Sequence, residues 1–184
     1  MKRLFKHSTQ TLLAMLLGLG LMACAEPEKE QKSLDPVAFH ATDECHVCGM
    51  IITDFPGPKG QAVDASGVKK FCSAAEMLGW WLQPENRIGG AKLYVHDMGR
   101  SQWAAPDDSH LIDATQAFYV VGLANSGLKG AMGAVLGVFS EQSAAQKLAS
   151  MHGGRVLRFA EIDQAVLQQS SASQHAGMHG AGSH

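Results

Sequence analysis

The sequence is poor in the signatures that most activities require. It shows no nucleophile–base pair, no glycine-rich phosphate loop and no carboxylate pair spaced for acid–base work, so an independent enzyme is not indicated. The N-terminal apolar run, residues 12–22, is about eleven residues long, against the ~20 needed to span a bilayer. Basic residues are scarce as well. Without residues 1–23, which hold Lys2, Arg3 and Lys6, twelve basic side chains face seventeen acidic ones, a net charge of −5. Nucleic acid is a poor partner for such a chain. Cysteine is limited to four residues, Cys24, Cys45, Cys48 and Cys72.

The N-terminus reads as a targeting segment. A basic start and a short apolar run lead into Leu21-Met22-Ala23-Cys24, which has the form of a bacterial lipobox. That form implies a signal peptide over 1–23, cleavage before Cys24 and lipidation of its thiol. Ala25, where an Asp usually retains lipoproteins at the inner membrane, points to the outer membrane. Residues 24–40 then form a charged tether, lacking aromatics over 25–36, with order expected from about Val37. Export changes the cysteine arithmetic. With Cys24 lipidated, three thiols remain, and an odd number cannot all pair within one chain. In the oxidising periplasm free thiols need a reason, and a bound metal is one.

What the sequence does have is a concentrated hexapeptide, Cys45-His46-Val47-Cys48-Gly49-Met50. Two thiols, a thioether and an imidazole are donors that soft metal ions prefer. The Cys-x-x-Cys spacing lets both sulfurs face one centre, with Gly49 free to adopt the positive φ of a knuckle. A thiol pair alone is ambiguous between zinc, redox chemistry and a disulfide. The adjacent Met50 favours a thiophilic ion, with copper(I) the commonest cargo.

Around it lies a duplicated pattern, and the expected fold class is α+β. Lys70-Phe71-Cys72-Ser73 and Val138-Phe139-Ser140-Glu141 each end a short strand at Phe and open an Ala-rich helix. Each helix is followed by a Gly-Gly pair and an alternating strand, after Gly89-Gly90 and after Gly153-Gly154. Two tandem ββαβ-like units follow, each an antiparallel sheet carrying one helix, over residues 41–98 and 99–167. Ser73-x-x-Glu76 predicts a capping box that starts the first helix at Ala74. Met77, Leu78, Trp81 and Leu82 give that helix an apolar face, and Pro84 closes it. Leu93 and Val95 alternate with Lys92 and Tyr94, as in a strand with one buried face. Residues 49–53 read as knuckle then strand, with the Pro56–Gly60 loop between the first two strands. Residues 117–121 are a further strand candidate. Residues 168–184 are Ser-, Gln-, Gly- and Ala-rich and are expected to form a disordered tail. Its His175, Met178 and His179 are candidate metal collectors.

The motifs at 43–52, the Phe55–Gly60 loop, Phe71-Cys72-Ser73 and Met132-Gly133 together resemble the NosL family, lipoproteins associated with assembly of the copper enzyme nitrous-oxide reductase. The resemblance covers most of the chain after the signal peptide, lipobox included. It implies a copper(I) chaperone rather than an enzyme, anchored at the periplasmic face of a membrane, with the reductase and membrane components of its assembly apparatus as partners. A wider resemblance is to treble-clef-like heavy-metal domains, with Cys-x-x-Cys-Gly followed by Phe-Cys-Ser-x-x-Cys. This chain has Glu76 where the last of those cysteines stands, so a closed four-sulfur site is not expected. Cys45, Cys48 and Met50 are the expected ligands, with Met132 reaching in from the second unit if the equivalent Gly-Met and Met-Gly corners meet. Second-rank candidates are His46, Cys72, His96 and Met98. The alternatives are a periplasmic thiol-disulfide oxidoreductase and a structural zinc-knuckle protein.

Overall fold

A computed structural model describes residues 33–87, 89–123, 126–131 and 135–179, with side chains as far as Ser171. Cys24 and Met132 lie outside these residues, as do the side chains of His175, Met178 and His179.

Two ββαβ units are present, as the duplicated pattern predicts. The first comprises β1 (Gly60–Asp64), β2 (Gly67–Phe71), α1 (Ala74–Trp81) and β3 (Lys92–His96), and β4 (Leu111–Asp113) adds an edge. Its antiparallel sheet has the order β2-β1-β3-β4. The second comprises β5 (Phe118–Val121), β6 (Gly137–Phe139), α2 (Gln142–His152) and β7 (Arg155–Arg158), in the order β6-β5-β7. In each unit the first strand is central and flanked by the second and third.

The local chemistry explains the elements. Ser73 Oγ accepts the backbone N–H of Glu76 at 3.1 Å and caps α1 where the sequence places the cap. Met77 and Leu78 are buried while Trp81 and Leu82 are partly so, and the helix stops at Trp81, ahead of Pro84. Gly60 permits close seating of α1 on β1, since a Cβ there would stand 2.7 Å from Met77 Sδ. In β3, Leu93 and Val95 are buried and Lys92 is exposed.

The units share a core. Ile52, Ala62, Phe71, Leu78 and Val95 pack in one cluster with Tyr119, Leu136, Val138 and Leu157. A smaller cluster under α2 holds Val120, Phe139, Ala145 and Ala149. Alternation along β5 thus serves both, with Tyr119 facing one and Val120 the other. Main chain also crosses between the units, from Met98 N–H to the Val138 carbonyl at 2.7 Å.

Two expectations are corrected. The strand after the knuckle reduces to one bridge, Glu44 with Ile51, followed by a 3₁₀ turn, Ile52–Asp54. The Pro-Gly-Pro loop accordingly leads into β1, and the hairpin turn is the Asp64–Gly67 segment, where Asp64 accepts from Ser66 and Gly67 N–H. The C-terminal region is not tail from residue 168. Helix α3 (Gln164–His179) runs through it, with Leu167 and Ser170 buried. Asp163 caps this helix by accepting Val166 N–H at 2.8 Å, and Gln164 Nε2 donates to the Gly79 carbonyl at 3.2 Å. Val166 and Leu167 pack on the main core and help to dock a helix whose composition otherwise looks too polar to fold. No described helix is long and apolar enough to cross a membrane.

Candidate metal centre

The hexapeptide folds as a small knuckle docked on the end of β2. Cys45 N–H donates to the Met50 carbonyl at 2.8 Å and Gly49 N–H to the Cys45 carbonyl at 2.9 Å. Gly49 has φ +70°, the left-handed conformation its position requires. His46 N–H donates to the Lys70 carbonyl at 2.8 Å, and Lys70 Nζ pairs with Asp43. The knuckle is thereby fixed beside Cys72, which follows β2 directly, and beside the first turn of α1.

Four donor side chains converge there. The Sγ atoms of Cys45, Cys48 and Cys72 and a carboxylate oxygen of Glu76 all lie within 4.8 Å of one another. Cys72 Sγ is 2.7 Å and Cys45 Sγ 3.0 Å from Glu76 Oε2, and Cys48 Sγ is 3.8 Å from the same oxygen. The Cys48 and Cys72 sulfurs are 3.7 Å apart, and all three cysteines are free thiols. Tetrahedral coordination at a metal–sulfur distance of about 2.3 Å separates two sulfurs by about 3.8 Å. The spacing therefore suits a shared ion.

Thiol protonation follows from the surroundings. Burial pushes the Cys45 thiol up, and its hydrogen bond to Glu76 adds to the effect. Burial and then the Glu76 carboxylate raise Cys72 strongly. A buried thiol beside a carboxylate keeps its proton and donates it to that carboxylate. An incoming soft cation would displace these protons and free the Glu76 oxygens as further donors. Cys45 and Cys72 are buried, whereas Cys48 and Glu76 are half-exposed, so the centre opens on their side. That side borders a cavity of about 580 Å³ between α1 and α3, lined by Val47, Trp80 and Leu167 among others.

An attacking redox cysteine normally sits at a helix N-terminus that lowers its pKa. Cys45 sits in a knuckle, and its environment raises the thiol instead. Cys45 therefore lacks the helix N-terminus that the oxidoreductase alternative calls for.

The structure sorts the other sequence candidates. Cys72, ranked second, belongs to the central cluster, and Glu76 joins it although the sequence reading gave it only a capping role and a missing cysteine. The usable signal was its register, three residues after Ser73 and in the slot of a ligand in treble-clef-like domains. Met50 lies half-buried in the knuckle. His46 is exposed and stands edge-on to Phe71 and Trp80, outside the cluster. His96 has both ring nitrogens engaged: Nδ1 accepts Lys59 N–H at 3.2 Å, so Nε2 carries the proton and donates to Asp108 at 2.9 Å. It is a satisfied core histidine with no free lone pair. Met98 is buried in the smaller core with Val120 and Phe139.

Fold and centre together define a class: paired ββαβ units, the first bearing a treble-clef-like knuckle with three thiols and a carboxylate arranged for a thiophilic ion. The chain belongs to the NosL family, whose profile matches residues 36–167. It is 68% identical over 179 residues to the copper-binding lipoprotein NosL of Stutzerimonas stutzeri, covering 97% of this chain and 93% of that one. Identity to the copper-binding lipoprotein NosL of Achromobacter cycloclastes is 33% over 164 residues, 86% of this chain and 84% of the relative. The crystal structure of the copper chaperone NosL from Shewanella denitrificans matches with a TM-score of 0.67 at 43% identity, covering 72% of this chain and 98% of the other.

Proposed function

We propose that this protein is a membrane-anchored periplasmic copper(I) chaperone that delivers copper for maturation of nitrous-oxide reductase. The observation that carries the reading is the convergence of Cys45, Cys48, Cys72 and Glu76 at a centre closed on one side and open on the other. Buried thiols supply affinity. The half-exposed Cys48 and Glu76 supply an approach by which a partner's donors replace the chaperone's one at a time, as transfer requires. Copper(I) is the cargo because thiolate and thioether donors select it. Cys45, Cys48 and Cys72 are the proposed thiolate ligands, with Met50 and, from the second unit, Met132 as thioethers. Cys24 is the lipidated residue, with the outer membrane as its address. His175, Met178 and His179 are weaker collecting ligands. The protein acts as a carrier and catalyses no reaction of its own.

Titration of the reduced protein with copper(I) against a competing chelator, followed by X-ray absorption, tests this reading. One tightly held ion with sulfur-dominated coordination is expected. A coordination shell of nitrogen and oxygen only would overturn it.

The Glu76 carboxylate favours a second reading. Three thiolates and one carboxylate in tetrahedral spacing also suit zinc, which takes oxygen donors readily. Competition between zinc and copper(I) for the same protein separates the two, and retention of zinc against copper(I) would favour a structural knuckle.

A further inference from the structure

Three free thiols share the centre, and their surroundings are unequal. Cys45 and Cys72 are buried, at 3% and 0% exposure, whereas Cys48 is half-exposed. Cys45 and Cys72 each donate a short hydrogen bond to Glu76 Oε2, at 3.0 Å and 2.7 Å. The Cys48 sulfur stands further off, 3.8 Å from that oxygen and 3.7 Å from the Cys72 sulfur. Cys48 with Cys72 is the one sulfur–sulfur contact of hydrogen-bonding geometry among the described residues. Spacing alone would pair Cys48 with Cys45, its Cys-x-x-Cys partner. The fold instead gives it a neighbour 24 residues further along the chain.

That arrangement suits oxidation as well as metal binding. The two sulfurs of a disulfide are about 2.05 Å apart, so the gap must close by about 1.6 Å. Cys48 belongs to a turn and Cys72 to the β2–α1 junction, so neither sulfur is fixed within a strand or a helix. On the proposed periplasmic side of a membrane, thiols meet disulfide oxidants. Cys48 is the thiol that such an oxidant can reach, and Cys72 is the one placed to resolve the product.

We propose that Cys48 and Cys72 are the redox pair of this centre and close a disulfide in the metal-free protein by exchange with a small-molecule disulfide. The Cys48 thiolate attacks R–S–S–R, bonds to one sulfur and expels the other as a thiolate. The Cys72 sulfur then attacks Cys48, the mixed disulfide breaks and the second thiolate leaves. The two cysteine protons end on the two leaving groups. The pair is thus oxidised by two electrons, and R–S–S–R is reduced to two R–SH. Cys45 keeps its thiol on Glu76. The oxidised centre has lost two of its three thiolate donors, so cargo binds only in the reduced state. This consequence rests on the copper(I) reading above, whereas the disulfide itself does not.

The test treats the reduced, metal-free full chain with glutathione disulfide, alkylates the remaining thiols and maps the products by fragmentation mass spectrometry. A Cys48–Cys72 bond with Cys45 alkylated is expected. Cys72→Ser should stop at a stable glutathione adduct on Cys48, and Cys45→Ser should still close the bond. A Cys45–Cys48 bond in the wild type overturns the proposal, as does a persistent adduct or three unreacted thiols. Should a variant not fold, the wild-type map alone decides. Chelator competition for copper(I) then compares the reduced and oxidised wild type. Oxidation should weaken binding roughly a hundred-fold or more, and re-reduction should restore it. Equal affinity in the two forms overturns the redox control of loading. Failure of the reduced wild type to bind copper(I) overturns the copper(I) reading, and a mapped Cys48–Cys72 bond would stand without it.

Discussion

The two units share a topology and differ at one corner. In the first, the strand–helix junction reads Phe71-Cys72-Ser73, and the Cys72 thiol joins two other thiols and Glu76 at a half-open centre. In the second it reads Phe139-Ser140-Glu141, and Ser140 turns inward. Its hydroxyl donates to Asp97 Oδ2 at 2.6 Å and its N–H to Asp97 Oδ1 at 3.2 Å. Asp97 directly follows β3, so this corner ties the second unit to the first. A soft donor at the junction makes a place for cargo, and a hard donor at the equivalent junction makes a joint. The backbone is common to both, and the side-chain chemistry decides which one results.

The largest expected effect breaks the first corner. Cys45→Ser and Cys48→Ser should each weaken copper(I) binding by orders of magnitude, because a hard hydroxyl replaces a soft thiolate. Chelator competition reads this directly, and wild-type affinity in both variants would move the site away from the knuckle. Breaking the second corner should do the reverse. Ser140→Ala removes a hydrogen bond from a fully buried carboxyl group and should cost about 1–3 kcal/mol of stability by urea unfolding. Copper(I) affinity should stay unchanged; a parallel loss of both would show that the two corners are not separate devices. Glu76→Gln sharpens the contrast within the first corner. Its backbone N–H still meets Ser73, so α1 should keep its cap, while zinc affinity should fall further than copper(I) affinity because the lost donor is hard. An equal loss for both ions would deny the carboxylate a selective role.

The smallest effect concerns pH and the joint near β3. Burial lowers the His96 pKa below its usual 6.5, with the Asp108 hydrogen bond opposing the shift in part. The unfolded chain therefore binds a proton before the folded one does as pH falls. This contribution to stability is present above pH 6.5 and is lost as pH falls from 6.5 through the lower folded-state value. Melting of the metal-free protein between pH 7 and 5 should show the decline, at about pH 6.5 and below, and His96→Gln should flatten it. An identical profile in that variant would place the proton uptake elsewhere.

Much of this was legible in the sequence, for physical reasons. The duplicated ββαβ order follows from strand alternation and from Gly-Gly breaks, both local properties. The start of α1 follows from Ser73, and the chemistry of the knuckle from the donor types packed into residues 45–50. What only the tertiary structure decided is which distant side chains meet. Sequence spacing does not record that the knuckle docks on β2, so it ranked Cys72 behind Met50 and gave Glu76 no place at the centre. His96 and Met98 share donor chemistry with true ligands, and packing consigns one to a hydrogen-bonded core and the other to the hydrophobic cluster under α2. Residue type sets what a side chain can bind, and long-range packing sets whether its donor atoms are free and which others they meet.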